Sequence, residues 1–151
     1  MTEKKTTLTA VAATATLAVL SHFVEIPGTY SYPINRVIDG DTIEIEAPFL
    51  PKELNQKLNL RVLGIDTPEK GILAKCKLED LKSIAAKQFV EETLSKAKDV
   101  KIHLKRWDKY GGRVLGDLEI DGKYLSKLMI ETGHAVEYHG EKKSTDWCKK
   151  K

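Results

Sequence analysis

Residues 34–46 have the sequence INRVIDGDTIEIE, in which two segments rich in β-branched residues flank an Asp-Gly pair. β-Branched residues favour strands, and Asp-Gly between two such segments is a typical hairpin turn. We therefore predict two antiparallel strands with Asp39-Gly40 at the reversal and Asp41 at the mouth of the hairpin. Asp39 is interpreted as a turn-forming residue only.

The residues after this hairpin predict three further strands and two helices. Residues 58–63, which follow a proline-containing loop, begin with alternating apolar and polar side chains, as in a strand. Residues 78–97 carry apolar side chains every three to five positions, which predicts an amphipathic helix. The other predicted elements are strands at 100–104 and 114–120, the turn from Asp108 to Arg113 that joins them, and a helix at 124–129 that Gly133 ends.

This order of elements predicts an α+β fold, a five-stranded OB-type β-barrel with two or three packed helices. A sheet with helices on one face is the alternative. The barrel is favoured because the polar motifs fall at strand ends, where loops can converge on one rim. We expect the domain to span residues 32–140, after a signal-peptide-like or membrane-anchor segment plus linker at 1–31 and before a lysine-rich tail at 141–151.

Composition sets broad limits on function. The 151 residues fit one domain, and a formal net charge of +3 permits nucleic-acid binding without requiring it. The lysine-rich end is interpreted as a solvated tail, with phosphate contact as the alternative. Nothing resembles an interface repeat, so a monomer is the default expectation.

The amino terminus places two lysines before an uncharged, largely apolar run from Leu8 to Leu20. This pattern resembles an export signal, or an amino-terminal hydrophobic helix acting as a weak membrane anchor. We expect a secreted or cell-envelope protein, with membrane contact through this segment only. A helix of a cytoplasmic protein is the alternative.

Cys76 and Cys148 are the only cysteines, and neither lies in a spacing typical of zinc sites. An oxidising compartment would allow them to pair. The sequence leaves a disulfide and two free thiols equally open.

Carboxylates on separate predicted loops are candidates for a metal site. Asp41 and Asp66 are suited to hold a calcium-sized cation through oxygen ligands. Thr67 precedes a proline, which favours extended backbone and makes its carbonyl oxygen a third candidate ligand. Glu69 lies three residues beyond Asp66, where it can act as a general base on water without ligating the ion. The alternative roles are turn residues for the aspartates and a helix-start acid for Glu69.

Arginine is scarce in this chain, with four residues, Arg36, Arg61, Arg106 and Arg113. A guanidinium binds phosphate oxygens through a rigid fork of donors. Arg61 and Arg113 come from different predicted strands, so they can grip a phosphate from two sides and stabilise its developing charge. Surface ion pairs are the alternative.

Four segments together resemble the thermonuclease family, the staphylococcal-nuclease-like domains. They are VIDGDT at residues 37–42, RVLGIDTPE at 61–69, DKYGGRVLGDLEIDG at 108–122 and ETGHAVEY at 131–138. The resemblance covers roughly the whole predicted domain. It implies an OB-fold, calcium-dependent nuclease that acts on DNA and RNA by metal-assisted attack of water and leaves 3′-phosphate ends.

Carried over to matching positions, the resemblance implies a role for each candidate residue. The metal ligands are Asp41, Asp66 and the Thr67 carbonyl, the base is Glu69, and the phosphate donors are Arg61 and Arg113. Lys109 and Tyr110 match positions that contact nucleotide phosphate. Tyr138 lies near a position where an aromatic side chain lines the nucleotide pocket, with core packing as the alternative.

The chain also departs from the family pattern. Gly111-Gly112 adds one glycine to the usual Tyr-Gly-Arg turn, so the reach of Arg113 depends on how that turn is formed. A non-catalytic nucleic-acid or protein-binding module of the same fold is the alternative function. Such a module would not need both arginines and all three carboxylates together. A purely structural calcium-binding protein would leave the two arginines unexplained.

Overall fold

The computed structural model describes residues 26–109 and 111–150. The predicted hydrophobic helix at the amino terminus and Tyr110 lie outside these residues. Within the described ranges, no helix is both long and apolar enough to span a membrane. The strands are β1 Gly28–Tyr30, β2 Ile34–Asp39, β3 Thr42–Glu46, β4 Lys57–Val62, β5 Ile65–Asp66, β6 Val100–Trp107, β7 Arg113–Ile120, β8 Lys123–Tyr124 and β9 Val136–Glu137. The helices are α1 Lys77–Ser95, α2 Leu125–Glu131 and a 3₁₀ turn at Gly71–Leu73.

The predicted hairpin is present as β2 and β3. These strands pair antiparallel and close with Asp39 opposite Thr42. The backbone N–H of Asp41 donates to Asp39 Oδ1 at 3.3 Å, the local bond by which an aspartate stabilises a turn. Strand β3 also pairs antiparallel with β4, with Thr42 opposite Arg61, so the hairpin end lies beside the first candidate arginine.

The α+β class is confirmed, but the closed barrel is wrong for the described residues. The strand order of the main sheet is β1-β6-β7-β4-β3-β2, with β8 attached to β7. The five predicted strands follow an OB-like order, yet β2 and β6 do not pair to close it. Instead β1, from the predicted linker, occupies the edge of β6 in antiparallel register from Gly28–Leu104 to Tyr30–Ile102.

The core lies between the sheet and the two helices. Alternation along the strands buries one face, and α1 and α2 contribute the apolar side chains that cover it. Fully buried core residues include Ile43, Ile45, Leu60, Ile102, Leu118, Val90, Leu125 and Met129. Burying side chains of this size stabilises the fold by roughly 1.5–3 kcal/mol each.

Gly40 brings the hairpin tip into direct contact with α1. A Cβ at this position would lie 2.9 Å from Ala86 Cβ and 3.2 Å from Thr67 Cγ2. Only glycine allows this approach without a shift of the neighbours. The neighbouring Asp41 is therefore held close to both α1 and the segment after β5.

The carboxyl-terminal segment is attached to α1 rather than forming a solvated tail. Cys76 and Cys148 form a disulfide with a Cα–Cα distance of 6.0 Å. Lys82 Nζ, on α1, donates to the backbone carbonyls of Trp147 at 2.7 Å and Lys149 at 2.9 Å. The side chain of Trp147 is buried. These contacts hold the end of the chain beside the segment that contains Asp66 and Glu69.

Candidate active site

Asp41 is the centre of a buried polar network. Its Oδ1 accepts hydrogen bonds from Arg61 Nη1 at 2.7 Å and Thr42 Oγ1 at 3.0 Å. Its Oδ2 accepts one from Thr67 Oγ1 at 3.1 Å. The hairpin, β4 and the segment after β5 therefore meet at this carboxylate, and Asp41 as a whole is only 4% exposed.

Burial raises the pKa of Asp41 to about 6. The Arg61 guanidinium lowers this pKa, while the neighbouring Asp39 raises it further. Because desolvation is the largest of these influences, one guanidinium does not fully compensate the buried negative charge. Additional positive charge beside Asp41 would stabilise its ionised form.

Asp66 and Glu69 share a lysine from the carboxyl-terminal segment. Lys143 Nζ lies 2.6 Å from Asp66 Oδ1 and 2.8 Å from Glu69 Oε1. Lys143 donates a hydrogen bond to Glu69. Its contact with Asp66 is an ion pair without hydrogen-bond geometry. Asp66 Oδ1 is thus a buried oxygen with no hydrogen-bond donor among the described residues.

Lys143 keeps its charge in this position. Partial burial lowers the pKa of the ammonium, but its hydrogen bond to Glu69 and the negative charges of Asp66 and Glu69 outweigh this effect. The net effect is a raised pKa. The three groups therefore form a charged cluster with one cation between two anions.

A buried glutamate on α1 shapes the loop that carries Glu69. Glu79 Oε1 accepts from the backbone N–H of Glu69 at 3.2 Å, and its Oε2 accepts from that of Lys75 at 2.7 Å. Cys76 is the N-cap of α1, so Glu79 is the third residue of the helix. Its carboxylate fixes the backbone while the Glu69 carboxylate remains 40% exposed.

The candidate phosphate-binding side chains in the described residues line one cleft of about 770 Å³. Its lining includes Arg61, Lys109, Arg113, Tyr138 and Lys143. Strands β4 and β7 pair in parallel with Asn59 opposite Arg113 and Arg61 opposite Leu115. The two arginines therefore lie two positions apart in register on neighbouring strands, and their side chains leave the same face of the sheet.

The glycine pair lets the turn before Arg113 close. Gly111 and Gly112 have φ values of 70° and 65°, in the left-handed region that favours glycine. The backbone N–H of Asp108 donates to the Arg113 carbonyl at 2.9 Å. Arg113 Nε donates to Asp108 Oδ2 at 2.6 Å, and Nη2 contacts the same oxygen. The turn accommodates the extra glycine through these two backbone conformations, and Arg113 still lines the cleft.

The chemistry of these oxygens fits a hard divalent cation. Asp66 Oδ1 is paired with the Lys143 ammonium but accepts no hydrogen bond among the described residues, and Asp41 carries an under-compensated charge. Calcium prefers such carboxylate oxygens together with carbonyls and water. The described residues contain no group of three or more His, Cys, Asp or Glu side chains that could hold a metal. A cation here would therefore rely on two carboxylates, with backbone and solvent oxygens completing its coordination.

Three residues of the site had not been predicted. Glu79 had a local signal, since a glutamate three residues after an N-cap is typical of helix starts. Asp108 lies at the first position of the predicted turn, where only the hairpin geometry shows that its carboxylate meets Arg113. No local sequence pattern indicates the contact of Lys143 with Glu69, because the two residues are 74 positions apart.

A family model of staphylococcal nuclease homologues matches residues 59–150, which is more than half of the chain. The chain belongs to the staphylococcal nuclease homologue family. A search among curated proteins gave no significant match. The matched range contains Arg61, Asp66, Glu69 and Arg113 but begins after the hairpin. In this staphylococcal nuclease homologue, Asp41 is linked to the site by its contacts with Arg61 and Thr67.

Proposed function

We propose that this staphylococcal nuclease homologue is a calcium-dependent nuclease that hydrolyses phosphodiester bonds of DNA and RNA and leaves 3′-phosphate ends. The observation that carries the proposal is the position of Arg61. Its guanidinium binds Asp41 of the candidate metal site and also lines the cleft that contains Arg113. Metal-binding and phosphate-binding groups are thereby joined through one side chain.

Asp41, Asp66 and the Thr67 carbonyl are the groups we assign to the cation. When bound, calcium would neutralise phosphate charge and lower the pKa of coordinated water. Asp41 is already held by Arg61 and Thr67, so its carboxylate needs little rearrangement on binding. Preorganised ligands reduce the entropic cost of binding.

Glu69 is assigned as the general base. Its backbone is fixed by Glu79, while its carboxylate is partly exposed to solvent and contacts Lys143, which lines the cleft. A base in this position accepts a proton from the attacking water as the new P–O bond forms. The bond between phosphorus and the 5′ oxygen breaks in the same displacement, and the departing oxygen takes up a proton from solvent to become a 5′-hydroxyl. The proton taken from the attacking water stays on the Glu69 carboxyl until it exchanges with solvent.

Arg61 and Arg113 are assigned to the phosphate. Attack of water spreads negative charge over the phosphate oxygens, and fixed guanidinium donors stabilise that charge. Asp108 holds Arg113 by its Nε edge, which makes Asp108 a positioning residue for this donor. Lys109 adds a positive charge to the same cleft. Tyr138 offers a ring on which a base can stack without its identity being read, which is compatible with both DNA and RNA.

The disulfide supports our proposal that the protein acts outside the cytoplasm, secreted or in the cell envelope. Disulfides persist mainly in oxidising compartments. Recovery of protein starting beyond residue 20 from envelope or medium would support export. An intact chain found only in the cytoplasm would refute it.

The test of the proposed function is cleavage of single-stranded DNA and of RNA by the purified protein, with calcium or with a chelator. We expect cleavage with calcium only, and Glu69→Gln should reduce the rate by about 10² or more because the base is lost. Glu53→Gln removes an exposed carboxylate outside the cleft and should leave the rate unchanged. Chelator-resistant cleavage or a fully active Glu69→Gln variant would refute the mechanism. Nucleic-acid binding without cleavage would favour a binding module.

A further inference from the structure

The Lys143 ammonium lies where a cation bound to Asp66 would have to compete with it. Its Nζ is 2.6 Å from Asp66 Oδ1 and 2.8 Å from Glu69 Oε1. Oδ1 is also the buried carboxylate oxygen that lacks a hydrogen-bond donor among the described residues. The lysine therefore supplies positive charge to the same oxygen that the proposed function assigns to the metal.

This lysine is presented to Asp66 by a segment that is anchored on both sides. Before it, β9 pairs with β5, and the Tyr138 N–H donates to the Gly64 carbonyl at 3.0 Å. After it, Cys148 is linked to Cys76 at the start of α1. A group tethered in this way acts at a fixed effective concentration that dilution does not change.

The ammonium and a divalent cation cannot share one oxygen at close range. Both are positive, and a bound metal needs Asp66 Oδ1 within coordination distance. The lysine side chain is 41% exposed, so it has room to leave toward the cleft that it also lines. Displacement of the ammonium from Asp66 is therefore sterically open.

We infer that Lys143 is a built-in competitor for divalent cations at Asp66, kept at the site by the Cys76–Cys148 disulfide. The inference rests on the proposed function, since that assigns Asp66 to the metal. Only the fraction of molecules in which the ammonium has left Asp66 is competent to bind. If the ion pair is formed about 90% of the time, the observed calcium affinity is lowered about tenfold.

The test is calcium titration by calorimetry on the full, oxidised chain, comparing wild type with Lys143→Met and Lys142→Met. Lys143→Met keeps the length of the side chain and removes the competing charge, so calcium should bind about tenfold more tightly. Lys142→Met removes the same charge from the neighbouring exposed position and controls for general electrostatics. We expect it to change the affinity by less than about threefold. Equal affinities for the two variants would overturn the competition.

The tether is tested with Cys148→Ser, which leaves Cys76 at its helix cap. This variant should tighten calcium binding in the wild-type background but have no effect in the Lys143→Met background. Unchanged affinity in the wild-type background, or equal tightening in both backgrounds, would overturn the role of the disulfide. Circular dichroism of each variant establishes that it is folded before titration.

These binding results are separate from cleavage. Absence of calcium binding in both wild type and Lys143→Met would refute the metal assignment and the proposed function with it. Calcium-dependent cleavage together with identical calcium affinities for wild type and Lys143→Met would refute the competitor alone.

Discussion

At the scale of single residues, Asp41 shows a conflict between burial and charge. Its folded-state pKa of about 6 lies above the ordinary value of 3.8, so the metal-free fold favours the protonated form. The contribution of this group to stability is fully present below pH about 4 and is lost as the pH rises through about 6. A bound cation would remove the conflict by stabilising the carboxylate.

Asp41→Asn should therefore stabilise the metal-free protein at neutral pH. The amide can still accept from Arg61 and Thr42 and carries no charge. In chelator, we expect the difference in unfolding free energy between variant and wild type to shift by about 2 kcal/mol in favour of the variant from pH about 4 to about 7. Urea unfolding at both pH values measures this difference. A variant less stable than wild type at neutral pH would contradict the interpretation.

The two cleft arginines should be intolerant of lysine. Lysine provides a point charge in place of a fork of donors, so Arg61→Lys and Arg113→Lys should each lower kcat by about 10² to 10³. Arg36→Lys is the matched control, because that guanidinium is 66% exposed and pairs with Glu44 on the sheet surface. Steady-state cleavage of an oligonucleotide provides the comparison. An Arg113→Lys variant with the kcat of wild type would refute the role assigned to Arg113.

At the scale of elements, the contact between the hairpin tip and α1 sets the position of Asp41. Gly40→Ala would place its Cβ 2.9 Å from Ala86 Cβ. We expect the resulting shift to destabilise the fold by about 1–3 kcal/mol and to weaken calcium binding. Thermal unfolding and calcium titration measure the two effects. The double variant Gly40→Ala/Ala86→Gly should recover part of the binding loss, and a Gly40→Ala protein that matches wild type would refute the contact.

The longer elements were predictable because their periodicity is local. β-Branched residues around Asp-Gly indicated β2 and β3, alternation indicated β4, β6 and β7, and apolar spacing indicated both α-helices. The short strands β1, β5, β8 and β9 have two or three residues each, too few for a period to be recognised. They form because distant partners offer backbone hydrogen bonds, and β1 takes the edge at which a closed barrel would have been completed.

At the scale of the whole molecule, the candidate site combines residues that lie far apart in the sequence. The motifs suggested Asp41, Asp66, Glu69, Arg61 and Arg113 as site residues, and the fold brings them into two connected clusters. The lysine-rich end was expected to be solvated, yet Lys143 binds two of these carboxylates. Local patterns cannot reveal such a contact, since Lys143 and Glu69 are 74 residues apart in the sequence.

The most direct measurement of the central claim is cleavage of a defined oligonucleotide in water enriched in oxygen-18, started by calcium and read by mass spectrometry. Attack of water on phosphorus with Glu69 as the base predicts a product with a 3′-phosphate that contains one oxygen atom from the solvent. A second product should carry a 5′-hydroxyl without the label. A labelled 5′-phosphate, or the same products in chelator, would contradict the account.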